Sequence, residues 1–206
     1  MRAILRIVLW VGLALAPLGT AQGQYHRGPH YAQPRQHETF WLGVTGGYAW
    51  ARRTCDQCNP ALETWSGSGS VRAGGTISEQ FLVGGEFATW YRASGGIKSW
   101  ISNTSLVATY FPFWGNGFKL TGGLGAGTYQ YRQNGATLKG IGLGLVGGVG
   151  YDIMVGRKTA VAPMVNLRYG IPGKLSRTKG GASTGVAPAT GAKTTVIEFG
   201  LNLTFY

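Results

Sequence analysis

Three sets of residues in this sequence have the types and spacing to do chemistry. The first is Cys55-Asp56-Gln57-Cys58, which holds both cysteines of the chain. A CxxC can be a redox centre, half of a metal site or a disulfide. A thioredoxin-like centre needs a helix N-terminus beside a βαβ unit, and no such unit is read here. A zinc site needs two further ligands, yet His26, His30 and His37 lie together in an earlier, loosely spaced polar stretch. The reading weighs toward a structural disulfide, because the chain carries the export signal described below. The second set is Gly142, Gly144 and Gly147, which match GxGxxG. A dinucleotide fingerprint needs a strand before it and a helix opening after it. Here a strand-like period runs on through Val149, Tyr151 and Ile153, so the match follows from glycine abundance. No catalytic residue, cofactor or metal is expected.

The third set is basic. The formal net charge is +12, reduced by two when Arg2 and Arg6 leave with the signal. Arg52, Arg53, Arg92, Lys98, Arg132, Lys139, Lys174, Arg177, Lys179 and Lys193 gather toward one end of the elements read below, opposed there by Asp56 and Glu63. Nucleic acid is the first partner such a charge suggests, but an exported chain rarely meets it. The phosphates of lipopolysaccharide in an outer leaflet are a nearer anionic partner. Ordinary solvated loop charges are the plain alternative.

The elements that position these residues follow from composition and period. Arg2 and Arg6, the apolar run Ile7 to Ala16, and the small residues Gly19-Thr20-Ala21 read as an export signal over 1–21. Residues 22–38, rich in Tyr, His, Gln and Pro, read as a flexible periplasmic tail. Glycine contributes 36 residues and hydrophobic residues 44%, while only 13% are charged. Disorder and collagen do not fit that balance. Close-packed, curved strands do.

From Thr39 to Tyr206 the period is two. Eight runs are predicted: 39–53, 66–77, 81–94, 98–114, 119–133, 137–155, 160–174 and 194–206. Most reach the ~9–11 residues of a tilted transmembrane strand. Tight turns are expected after the second, fourth and sixth runs and longer loops after the others, an outer-membrane arrangement with the short side periplasmic. Two aromatic girdles are predicted. Phe40, Trp41, Phe81, Phe111, Phe113, Trp114, Phe118, Tyr151, Phe205 and Tyr206 form the short-turn girdle. Tyr48, Trp50, Trp90, Tyr91, Trp100, Tyr129, Tyr131 and Tyr169 form the loop-side one. In the last run Ile197, Phe199, Leu201, Leu203 and Phe205 alternate with Val196, Glu198, Gly200, Asn202 and Thr204. The bulky side should meet lipid and the small or polar side should fill the lumen. Matching the apolar faces of the second and third runs requires a turn with an odd number of residues. Ser78-Glu79-Gln80 then pairs Ile77 with Phe81 and Val71 with Phe87, and sets Arg72 opposite Glu86 as a lumen ion pair.

With eight strands, this loop pattern and the aromatic strand Val196–Tyr206, the chain resembles the OmpA-like and OmpX-like outer-membrane barrel families over 39–206. The resemblance implies an all-β, eight-stranded antiparallel up-and-down barrel in a bacterial outer membrane. It also implies a last strand read by the barrel-assembly machinery, although here the apolar stripe ends on Phe205, one residue before Tyr206. A structural, surface-interaction or envelope-integrity role is expected. The alternatives are a lipid A deacylase or palmitoyltransferase and a narrow channel. The enzymes of that type use a histidine with a serine on the barrel wall, and His37 is the last histidine here. Eight strands leave an interior that side chains fill, which disfavours a wide pore.

Overall fold

The computed structural model describes residues 40–54, 62–113, 115–133, 136–179, 182–187 and 193–206. The signal, the tail and the Cys55–Cys58 pair lie outside the described residues. Eight long strands form an antiparallel sheet: β1 Phe40–Thr54, β2 Leu62–Ser78, β3 Phe81–Ser94, β4 Ile97–Tyr110, β5 Phe118–Gln133, β6 Ala136–Tyr151, β7 Thr159–Lys179 and β8 Lys193–Phe205. Each pairs with its neighbours in sequence. β8 returns to β1 from Leu42↔Phe205 to Thr54↔Lys193, closing the sheet into a barrel. Closure removes both sheet edges and satisfies the backbone within the wall, as a lipid environment requires. Two short strands, Ile153–Met154 and Ala182–Ala187, pair with the two ends of β7.

The two faces are chemically inverted relative to a soluble barrel. Leu106, Leu124 and Leu201 are 71%, 61% and 61% exposed, whereas Glu198 and Asn166 are fully buried. Leaving a leucine in water forgoes roughly 1.5–3 kcal/mol, so an outer wall of such residues belongs in hydrocarbon.

Glycine serves this inside-out packing. A Cβ on inward Gly144 would collide with the Asn103 amide, so the missing side chain is what lets Asn103 cross the lumen. At Gly95-Gly96 positive φ angles of 57° and 78° close β3 onto β4 in a two-residue turn.

Several boundaries differ from the sequence expectation. The third connection is this tight turn, while the connection after β4 spans 111–117, so short and long connections do not segregate cleanly between the two ends. β4 stops at Tyr110 rather than Trp114, since Pro112 has no N–H for the ladder. β7 continues beyond the predicted end at Lys174 to Lys179, so Arg177 and Lys179 belong to a strand backbone instead of a loop. In the second hairpin, Val71↔Phe87 and Arg72↔Glu86 are partners, but Ile77 does not face Phe81. Ser78 takes that place, and the ladder is irregular between Thr76 and Ser78. A bulge plus a two-residue turn at Glu79-Gln80 has the same parity as the three-residue turn that the apolar faces demanded.

Candidate functional site

The lumen is filled in layers. At mid-height, Arg72 from β2 pairs through Nε with Glu86 from β3. Arg168 from β7 donates to the other Glu86 oxygen at 3.0 Å and reaches Glu198 from β8 at 3.3 Å. Asn166 donates to Glu198 at 2.8 Å and accepts from Arg72 at 3.0 Å, which closes a ring of five side chains. Two guanidinium groups and two carboxylates make it neutral, and all five residues are buried. Such charges are tolerable in a dry interior only when paired and hydrogen-bonded.

Toward the strand termini lies a second polar group. Lys119 meets Asp152 at 2.7 Å and Asn202 at 3.3 Å. The Tyr206 hydroxyl also donates to Asp152, and Asn202 donates to Thr45 at 3.0 Å. Apolar layers close both ends. Trp41, Leu82, Phe111, Ala160 and Tyr206 form the one beside the termini. Ala49, Ala51, Trp90, Ile101, Tyr129 and Val196 form the other, with Tyr131 and Leu138 packed against it.

These layers correct the predicted girdles. Trp41, Trp90, Phe111, Tyr129 and Tyr206 are buried, and Tyr131 packs inward. Their phase along each strand points them into the lumen, so they are stoppers. The outward aromatics include Phe40, Phe81 and Tyr110 at one end and Tyr48, Trp65, Tyr91 and Trp100 at the other. Tyr48 stacks on Trp65 at 5.8 Å, and Tyr91 meets Trp100 edge-on at 5.7 Å. Trp65 is missing from the predicted girdle because β2 starts earlier than its small residues suggest.

The basic rim divides by strand phase. Arg53 points inward, bonds the Tyr129 hydroxyl and lies 5.0 and 5.5 Å from the Tyr129 and Tyr131 ring centres. Arg92 donates to the Trp65 carbonyl at 3.3 Å. Arg52 pairs with Glu63 at 3.0 Å with both side chains half exposed, a contact worth little in water. Lys98, Arg132, Lys139 and Lys193 are exposed. The side chains of Lys174, Arg177 and Lys179 lie outside the described residues. Sequence reading singled out Arg72 and Glu86 but missed Arg168 and Asn166, which share the inward phase of β7. It placed Glu198 on the lumen side without a partner.

A closed barrel with a bulky apolar exterior and a salt-bridged, filled interior is a membrane-spanning β-barrel. Its fold is that of small outer-membrane barrels. The chain is similar to Neisserial surface protein A, with 13% identity over 81% of this chain and 96% of that one, at a TM-score of 0.52. It is also similar to the outer membrane protein OprG from Pseudomonas aeruginosa, with 15% identity over 84% of this chain and 99% of that one, at a TM-score of 0.50. No protein-family model and no curated relative matches the sequence.

Proposed function

We propose that this protein acts in a bacterial outer membrane as a solid, non-enzymatic barrel with a structural, surface-interaction or envelope-integrity role. Residues 1–21 direct export, and the barrel-assembly machinery inserts the chain through its last strand. Both strand termini then face the periplasm, and the end bearing the basic rim faces outward, against the phosphates of lipopolysaccharide. The observation that carries this reading is the packing of the lumen. Among the described residues, a gap beside Arg168 and Ser68 in the stacked apolar and ionic layers has room for about one water. An interior so occupied favours the outer wall and the rim as the working surfaces.

The test is fractionation followed by gel analysis. The mature protein should extract with the outer membrane and migrate differently unheated than boiled, while planar bilayers holding it should show no steady conductance. Recovery as a soluble periplasmic protein, or a stable open channel, would refute the reading.

A further inference from the structure

The exterior is not uniform around the barrel. From β6 through β8 to β1 the outward residues at mid-height are mostly bulky and apolar, among them Leu143, Leu145, Leu167, Phe199 and Val44. On β3 to β5 the outward residues Phe87, Leu106 and Leu124 are apolar at mid-height too, but one step toward the rim the outward side differs. Register sets Thr89 beside Ser102 and Ser102 beside Thr128, with Thr104 one step deeper. The Ser102 and Thr128 hydroxyls bond each other. Hydroxyls facing hydrocarbon are unfavourable unless something polar meets them.

Directly above this patch, toward the rim, Lys98 and Arg132 are cross-strand partners, and Lys139 lies on the diagonal from Arg132, opposite Gln130. All three are exposed and outward. Like charges directly opposite one another destabilise a sheet. Among the described carboxylates, Glu63 is taken by Arg52, Glu79 sits at the far turn, and Glu86, Asp152 and Glu198 are inside. The Tyr91–Trp100 pair stands between the cations and the hydroxyls, at the level where aromatic rings mark a membrane interface.

The geometry points to a lipid seat on the outer wall of β3 to β6, built for one phosphorylated glycolipid of the outer leaflet. Its phosphate lies across Lys98, Arg132 and Lys139, and the polar linkages at the top of its acyl chains meet Ser102 and Thr128. The seat rests on the proposed outward orientation of the rim, but replaces a diffuse ring of charge by one wall. Of the rest of the described rim, Arg53 and Arg92 are hydrogen-bonded within the chain and Arg52 is neutralised, while Lys193 is exposed on the opposite wall, away from the hydroxyl patch.

The test compares two pairs of substitutions that remove equal charge, with folding verified by the heat-dependent gel shift. Phosphatidylcholine nanodiscs doped with diphosphoryl lipid A serve as the probe, read by native mass spectrometry. Each cation near a membrane surface contributes about fivefold to binding, so Lys98→Gln with Arg132→Gln should lower lipid A occupancy affinity about 25-fold. Arg52→Gln with Lys193→Gln, on the opposite wall, should lower it less than about twofold, since Arg52 is already neutralised by Glu63 and Lys193 stands away from the seat. Ser102→Val with Thr128→Val should weaken binding about fivefold, and dephosphorylated lipid A should bind the parent protein as poorly as the Lys98/Arg132 variant binds the diphosphoryl form. Equal losses from both charge pairs would overturn the seat while leaving the diffuse rim intact. No loss from either would overturn both.

Discussion

Glu86 is the residue on which the lumen ring depends most, because it alone accepts from both arginines. Glu86→Gln keeps the volume and removes the charge. The glutamine oxygen can accept from one arginine, but its NH2 faces the other, so Arg72 falls back on Asn166 and Met164 or Arg168 on Glu198. Each charge-assisted hydrogen bond contributes about 1.5–3 kcal/mol, and breaking a buried pair from one side costs about 3–5 kcal/mol. Losing the shared charge and one of the two bonds places the loss for Glu86→Gln at about 3–5 kcal/mol. Arg72→Met removes the bonds to Glu86 and Asn166 but leaves Glu86 with Arg168 and Asn166 with Glu198, so its loss should also be about 3–5 kcal/mol. The double variant restores neutrality around the surviving Arg168–Glu198 pair, so its loss should fall short of the sum by about 2–3 kcal/mol. The assay is reversible denaturant unfolding in detergent micelles, followed by tryptophan fluorescence and checked by the heat-dependent gel shift. Additive losses would refute the ring as a coupled unit.

Four further outcomes test the rest of the structure. Trp90→Ala empties the loop-side stopper, where the indole also donates to the Ala49 carbonyl at 3.2 Å, and should lower stability by about 3–5 kcal/mol in the same assay. Tyr206→Phe deletes the hydroxyl that bonds Asp152 and should cost about 1–2 kcal/mol; an unchanged midpoint would place that hydroxyl in solvent. Gly144→Val should lower stability, because its side chain would displace the Asn103 amide and crowd the Gly127 backbone, whereas outward Gly147→Val, with nothing within 4 Å of its Cβ position, should fold and shift on gels normally. Cys55 and Cys58 should resist a thiol reagent in the exported protein until reduced, and their joint replacement should barely change stability, since so small a ring removes little chain entropy.

Period-two alternation alone was enough to separate inside from outside on the second, third and last runs. Parity alone was enough to set Arg72 against Glu86, since a one-residue slip would have turned every apolar side chain of that hairpin to the wrong face. Local pattern could not choose between a three-residue turn and a bulge at Ile77 with a two-residue turn, because both preserve the parity. It also could not tell an aromatic in the girdle from one in the lumen when position along the strand was weighed above phase, as for Trp41, Trp90 and Tyr129. The partners across the lumen were beyond it altogether. Arg168 meets Glu86 although 82 residues separate them, and neither strand is the other's neighbour in the sheet. Their meeting depends on closure of β8 onto β1 and on the stagger of all the strands, which together set which inward residues share a level. Side-chain direction is a property of each strand, whereas the contents of one lumen layer are a property of the closed barrel.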